Sequence, residues 1–592
     1  MTASNSRIVF ANATVFTGNE QEERFVGTII VEGEDIVAVQ GGPQTVPSSF
    51  TADGAVVDCQ NGRYAICPGF IDMHAHSELS LLHTPDHLAK VTQGVTLEVL
   101  GQDGISYAPV TDETLPRVRD QIAGWNGKPN AEAFWRWRSV RGYLDTLDEA
   151  KIATNAAYLV PQGNLRMLVL GYSPRAATPD EIEAMKEILR RGFDEGAVGM
   201  SSGLTYVPGM YASNSELGHL LRVVAERGGY YSPHHRSYGK GAMRAYREMI
   251  ALAEETRVRL HLTHATLNFD ENRDKGLELL TLIDEAIARG TEITLDTYPY
   301  LPGSTTLAAL LPSWAAEGGG GEAILRRLAD EEQRERMRHD VEVVGTDGCH
   351  GCTLQWDTIE ISGLGSDAPT EPCRSIVGKT VAQIAQDRGV APWDAFVDIL
   401  VGNKLQTTIL QHVGHEDNVR AIMRHPQHTG GSDGIITATK PHPRGWGTFV
   451  RYLGHYGRDL GRGKDRQLYL TSPDDVEVYD SVTPVDVFAG GLEEVVAHLT
   501  SRPAGIVGCL ADRGTLAVNK KADVVVFDPE AVCDVATFAS PERPARGILH
   551  VLVNGRFVVR EGEPTRERAG RTLRSSGQDQ AGRLIASHNR RQ

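Results

Sequence analysis

Two histidines one residue apart, His74 and His76, close the apolar run Phe70-Ile71-Asp72-Met73 in the segment PGFIDMHAHSELS. In an extended strand residues i and i+2 share a face, so both rings can aim at one point if strand geometry persists that far. A divalent metal ion is such a point, because neutral imidazole is a common ligand. Alone, the pair is a weak signal and is better read as two unrelated polar residues at a strand end. Three other segments repeat it. YYSPHHRSYG places His234 and His235, VRLHLTHAT places His264, and HTGGSDG places Asp433, each after a short apolar run. If these strand ends share one mouth, the imidazoles and the carboxylate form a metal site with room for a water molecule.

The elements that must carry these residues follow from the pattern between them. Short apolar runs alternate with amphipathic helical stretches, as in parallel βα units. Eight strands are expected to end near His74, Gly101, Val160, Met200, His234, His264, Thr297 and Asp433. Helices are expected over 181–196, 245–257 and 276–290, the first opened by Thr178 as N-cap and Pro179 at the first helical position. Eight such units predict an α/β fold, a closed TIM-like (β/α)8 barrel with its site at the carboxyl ends of the strands. A doubly wound open sheet competes, but no GxGxxG follows the first apolar strand.

Both flanks read as β structure. Residues 1–66 and 481–563 are expected to form one small discontinuous β-sandwich domain around the 67–480 barrel, with Gly33-Glu34 and Asn554-Gly555 at hairpin turns. The connection from Pro299 to His428 is far longer than a crossover needs, so 303–427 is expected to be an insertion over the barrel mouth that could act as a lid. Residues 564–592 hold seven arginines against two acidic residues and are expected to be a disordered tail.

The bulk numbers narrow the function classes. The chain has 592 residues with a formal charge of −17, so nucleic-acid phosphates would be repelled and no nucleic-acid partner is expected. No apolar run approaches the roughly 20 residues of a membrane span, so no membrane partner is expected. The start lacks the charge and apolar pattern of a signal peptide, and seven thinly spread cysteines do not suggest a disulfide framework. A cytoplasmic location is the expectation, with the oligomeric state open.

With these motifs in view, the chain resembles the amidohydrolase superfamily through GFIDMHAH and its β flanks. It is similar to the D-aminoacylase family, the N-acyl-D-amino-acid deacylases, through GAVGMSSGLTYVPGMYASNSEL, YSPHHRS, DTYPYLPGSTTL, GSDG…HPRGWGTFVRYLG and SRPAGIVGCLADRGTLAVNKKADVVVFDP. The resemblance runs from about residue 7 to about 573. It implies metal ligands His74, His76, His234, His264 and Asp433, and one or two divalent ions, zinc first among them. The family's metal-binding cysteine falls at Asp103, in VLGQDGIS. A carboxylate there can bind one ion or bridge two, though it is a harder ligand than thiolate. The plainer reading is a turn residue before Gly104.

The resemblance further implies hydrolysis of the amide of a small N-acyl amino acid. Asp433 would be the general base and then acid, Tyr206 would polarise the carbonyl, and Arg444, Tyr298 and Ser304 would hold the substrate carboxylate. A family lysine two residues beyond the last histidine ligand is Thr266 here. That loss of charge keeps open a related amidohydrolase acting on a cyclic amide, a carbamoyl compound or a dipeptide. An inactive barrel used for binding or assembly is the third reading. In GCHGC, Cys349 and Cys352 with Cys373 fall short of a zinc knuckle and read as ordinary thiols, and Cys59 and Cys67 read as buried packing residues.

Overall fold

The computed structural model describes residues 7–42, 54–127, 129, 134–365, 373–468, 476–480 and 482–575. Its centre is an eight-stranded parallel sheet: β1 (Phe70–Asp72), β2 (Val95–Leu100), β3 (Asn155–Pro161), β4 (Gly199–Gly203), β5 (Tyr230–His234), β6 (Arg259–Leu262), β7 (Ile293–Thr297) and β8 (His428–Gly430). Successive strands are neighbours throughout. The two ends of the sheet meet where Met73 N donates to Gly430 O at 3.2 Å and Ala75 bridges Gly434. The sheet is therefore a nearly closed (β/α)8 barrel. Parallel strands are buried on both faces, which is why Val95–Leu100 is buried at all six positions. Ile71, Met73, Leu97, Val99, Ala157 and Leu159 join one apolar cluster, whereas Ala156, Tyr158 and Val160 join the larger cluster under the helices.

The helices lie close to their expected positions, at Pro179–Asp194, Ala242–Thr256 and Gly276–Ala288. The first has a complete capping box between Thr178 and Glu181, with proline in the first turn.

The termini share one nine-stranded sheet. Ala65–Pro68 sits at its middle, parallel to Arg7–Val15 and antiparallel to Val524–Phe527. Phe10 and Phe557, far apart in strand order, meet edge-to-face at 6.3 Å, so the sheet folds over on itself in sandwich fashion. Asn554 and Gly555 both have positive φ in a two-residue hairpin turn, and a side chain at Gly555 would strike the carbonyl of Gly33. The opposite face, through Val525 and Phe527, packs with Phe70 and Val95 of the barrel.

Three expected boundaries move. Helices Gly491–Leu499 and Ser501–Val507 contact β8, so they belong with the barrel although they follow residue 481; the carboxy-terminal part of the terminal sheet starts at Val524. Helix Glu416–Met423 packs on helix Gly276–Ala288 and on β7 and β8, so the insertion gives way to barrel before residue 427. The chain from 564 to 575 is packed rather than disordered: Leu573 N donates to Ala156 O at 2.8 Å, and Thr572 Oγ1 to Asp148 Oδ2 at 2.7 Å. Arginine content suggested solvent there, but Arg574 is paired with Asp145 and Asp148. The rest of the expected tail, 576–592, lies outside the described residues.

The inserted segment has its own three-stranded antiparallel sheet (Gly303–Thr306, Ile359–Gly363, Thr408–Gln411) and its own core, including Leu307, Ile324, Trp393, Phe396 and Ile409. It meets the barrel mouth through Thr305 beside Tyr206 and through Ser237 Oγ, which donates to His350 O at 2.9 Å. No helix among the described residues is long and apolar enough to cross a membrane. Cys349 and Cys352 are buried free thiols, as are Cys59 and Cys67; the side chain of Cys373 lies outside the described residues.

Candidate metal centre

The expected ligands converge. His74, His76, Asp103 and Asp433 form one group whose candidate ligand atoms all lie within 4.8 Å of one another, and Asp103, His234 and His264 form a second. Asp103 belongs to both. Its Oδ1 lies 3.5 Å from His74 Nε2 and 3.3 Å from His264 Nε2; its Oδ2 lies 3.4 Å from His76 Nε2 and 3.7 Å from His234 Nδ1. Asp433 Oδ1 faces His76 Nε2 at 3.2 Å and His74 Nε2 at 3.7 Å. All six residues are buried.

The backbone that delivers them departs from simple strand ends. β1 stops at Asp72, and His74 and His76 flank the Ala75–Gly434 bridge rather than continuing a regular strand. Asp103, His264 and Asp433 all have positive φ, at 55°, 31° and 46°. Such a conformation costs of order 1–3 kcal/mol per residue and persists only where surrounding bonds hold it. Here they do: His264 N donates to Asp296 Oδ1 and Asp433 N to His74 O, each at 2.8 Å. Asp103 is thus both the turn residue before Gly104 and a meeting point for four imidazoles.

A layer of polar side chains fixes this arrangement from below. Asp72 Oδ2 accepts from Lys90 Nζ at 2.5 Å and from Ser432 Oγ at 2.6 Å, while its Oδ1 accepts from the Ser432 amide at 2.9 Å. Lys90 also lies 3.4 Å from Glu98, which pairs with His87 at 2.6 Å. Thr205 Oγ1 holds His234 Nε2 at 2.7 Å, leaving Nδ1 for Asp103. Sequence reasoning missed these partners. Thr205 stands next to Tyr206 in a motif that drew attention, but a lysine within HLAKVTQG gives no local sign of burial.

The donor set fits a divalent ion. Both ring nitrogens of His74 are buried without a hydrogen-bond partner, and such orphaned groups are costly unless something satisfies them. Imidazole nitrogen and carboxylate oxygen suit zinc. The two carboxylates also draw positive charge: burial lowers the His76 pKa, but Asp103 and Asp433 more than reverse this and hold it up at about 10. Asp433 is pushed the other way. Burial raises its pKa, yet Arg444 and the histidines bring it well below the usual carboxylate range.

Beside the ligands lie the other expected residues. Arg444 Nη2 is 2.9 Å from Asp433 Oδ2, and its guanidinium carbon sits 4.4 Å from the centre of the Tyr298 ring. Arg444 is fully buried, and its Nε and Nη1 have no hydrogen-bond partner. Ser304 joins this group through its backbone oxygen, 3.5 Å from Arg444 Nη2. The Tyr206 ring lies between Trp125, edge to face at 5.1 Å, and His234, tilted at 4.8 Å, and its hydroxyl meets Thr305 Oγ1 at 3.2 Å. Burial, and then the charge of Asp103, raise the Tyr206 pKa and keep this hydroxyl protonated. Thr266 brings no cation to the site; its hydroxyl donates to Asn268 Oδ1 at 2.8 Å.

Comparison with known proteins gives the family. The family model described as "Amidohydrolase family" matches residues 55–559. The chain is 30% identical to a D-aminoacylase of Alcaligenes xylosoxydans xylosoxydans, over 86% of this chain and 87% of that protein. It is 31% identical to an N-acyl-D-glutamate deacylase of the same organism, over 92% of each. The crystal structure of an N-acyl-D-glutamate deacylase from Bordetella bronchiseptica, bound to zinc and a phosphonate inhibitor, superposes with a TM-score of 0.75 at 28% identity, covering 97% of this chain and 100% of that one. The chain therefore belongs to the amidohydrolase family, in its D-aminoacylase branch.

Proposed function

We propose that this protein hydrolyses the amide of an N-acyl-D-amino acid, giving a carboxylate and the free D-amino acid. One observation carries the reading furthest: a fully buried arginine with two unpartnered nitrogens lies against a carboxylate of the histidine cluster. A planar guanidinium with free N–H groups suits a substrate carboxylate, and its position sets that carboxylate next to the hydrolytic centre. The D configuration rests on the relatives, a D-aminoacylase and an N-acyl-D-glutamate deacylase.

His74, His76 and Asp433 would hold one divalent ion and His234 and His264 a second, with Asp103 shared. Bound there, such an ion supplies Lewis acidity and lowers the pKa of water from 15.7 to about 7. The remaining work belongs to side chains. Asp433, kept ionised by Arg444, accepts the proton of the attacking water at Oδ1 and returns it to the leaving nitrogen. The water oxygen ends in the new carboxylate, and the nitrogen leaves as an amine. The protonated Tyr206 hydroxyl donates to the carbonyl oxygen as negative charge grows there. Arg444 and Tyr298 fix the far end of the substrate, with Ser304 beside them.

The six cysteines whose side chains are described are free, which supports a reducing compartment such as the cytoplasm. The test of function is a hydrolysis screen on metal-quantified protein. Paired N-acetyl-D and N-acetyl-L amino acids are assayed beside small cyclic amides. Release of amine from D substrates is the expected result. Turnover confined to cyclic amides, or to L substrates, overturns the reading.

A further inference from the structure

The inserted segment brings a histidine of its own to the centre. His350 sits at the tip of the turn Thr346–Cys352, with a φ of 57° that a non-glycine residue rarely adopts. The turn is closed by Gly351 N to Thr346 O at 2.7 Å, Cys352 N to Cys349 O at 2.9 Å and Cys349 N to Thr346 Oγ1 at 2.8 Å. From the barrel side, Ser237 Oγ grips the His350 carbonyl. Gly239 lets the tip approach: a Cβ there would lie 2.8 Å from Cys352 Sγ and 3.0 Å from His350 Cβ. The backbone on both sides is thus built to deliver this one ring.

The ring lies 6.5 Å from that of His234, 5.4 Å from that of Tyr238 and 6.2 Å from that of Phe269, centre to centre. Its Nδ1 is buried and has no hydrogen-bond partner. A neutral imidazole at this position donates at one nitrogen and accepts at the other. An oriented, unsatisfied polar group beside the reacting centre calls for a ligand group.

On the reading given above, two parts of the substrate are already claimed. The carboxylate lies at Arg444, on the Asp433 side, and the carbonyl lies at Tyr206, whose ring sits between Trp125 and His234. What remains is the acyl group, whose alkyl part cannot hydrogen-bond, and the amino-acid side chain; of the two only the side chain can satisfy an imidazole on the Tyr238 and Phe269 side. We propose that His350 is a specificity-determining residue that hydrogen-bonds a neutral polar side chain, an amide or a hydroxyl, of the N-acyl amino acid. A site built to pair such a group discriminates strongly against an analogue that lacks it.

The experiment compares wild type with His350→Ala, His350→Phe and His350→Gln, all matched for zinc content and melting temperature. The substrates are N-acetyl-D-glutamine, N-acetyl-D-asparagine and N-acetyl-D-leucine. The expected result is a loss of about tenfold or more in kcat/KM for the two amide side chains in the Ala and Phe variants, mostly in KM. Leucine should change by less than about threefold, and His350→Gln should restore part of the loss. Equal losses on all substrates, no loss, or wild-type selectivity in His350→Phe each overturn the proposal. Wild type inactive on these three and on every N-acetyl-D-amino acid of the screen is a failure of the function proposed above instead. His350 is then tested by calorimetric binding of the same compounds to the zinc-loaded protein. Equal affinity in wild type and His350→Ala, or no binding at all, overturns it.

Discussion

Arg444 Nη2 lies 2.9 Å from Asp433 Oδ2, with both side chains withdrawn from solvent. This contact couples two tasks. The arginine keeps the carboxylate ionised, and on the proposed function its Nε and Nη1 are free for the substrate carboxylate. A buried guanidinium that serves only structure would be expected to satisfy all its donors.

Replacing Arg444 therefore separates binding from chemistry. Arg444→Met should raise KM by roughly 10- to 100-fold, the worth of a charged hydrogen bond. It should lower kcat as well, because Asp433 loses its partner. Arg444→Lys, a single cationic point without the planar fork, should recover only part of the KM. Steady-state kinetics on an N-acetyl-D-amino acid and on a neutral amide lacking the carboxylate check this. Equal effects on the two substrates would show that Arg444 does not meet the carboxylate.

Asp103 makes a distinct prediction about metal. Its two oxygens span both histidine pairs, so Asp103→Ala should reduce the bound zinc from about two ions per chain to about one. Asp103→Cys should keep both ions yet favour zinc and cadmium over manganese, since thiolate is softer than carboxylate. Metal analysis after dialysis against each ion in turn is the measurement. Unchanged stoichiometry in Asp103→Ala would remove Asp103 from the ligand set.

Chelation should abolish turnover, and added zinc should restore it. The metal-free protein should also melt at a lower temperature, because an ion bound only by the folded state stabilises it by mass action. Calorimetric melting with and without a chelator gives the second readout. Identical melting curves together with full activity after exhaustive chelation would exclude a metal role.

Much of this was legible in the chain, and the pattern of success has a physical cause. The histidines and Asp433 stand at the ends of apolar runs, and the order of those runs is the order of barrel strands. Local periodicity carries that information. What it cannot carry is partnership across hundreds of residues. Lys90 reaches Ser432, 342 positions away, and nothing near Lys90 marks it as buried. The positive φ of His264 is likewise set by Asp296 on the next strand. Boundaries moved for the same reason. Helix Gly491–Leu499 reads locally like any amphipathic segment, and only its contact with β8 assigns it to the barrel. The chain near Thr572 looked like solvated tail because the partners of its arginines lie far off in sequence: Arg574 pairs with Asp145 and Asp148, and Arg571 with Glu34.

The Lys90 layer yields the last prediction. Lys90, Asp72 and Glu98 are all fully buried, with His87 as the second partner of Glu98, so this group must balance its charge within the protein. Lys90→Met would take the cation from Asp72 and leave Glu98 with His87, and should cost ~3–5 kcal/mol of stability, the usual price of breaking a buried ion pair from one side. It should also loosen the Asp72–Ser432 link that joins β1 to the chain after β8, and so weaken metal binding. Acid acts on the same layer through Glu98. Burial raises its pKa, but His87 and Lys90 outweigh this and hold it down to about 2, against an ordinary value of 4.5. A depressed carboxyl contributes stability above its unfolded pKa, and that contribution fades as pH falls from about 4.5 toward 2. The midpoint of urea unfolding should therefore fall between pH 5 and pH 3 in wild type. Glu98→Gln should start lower and fall less steeply over that window. Parallel slopes in the two proteins would mean that Glu98 is not held by this network.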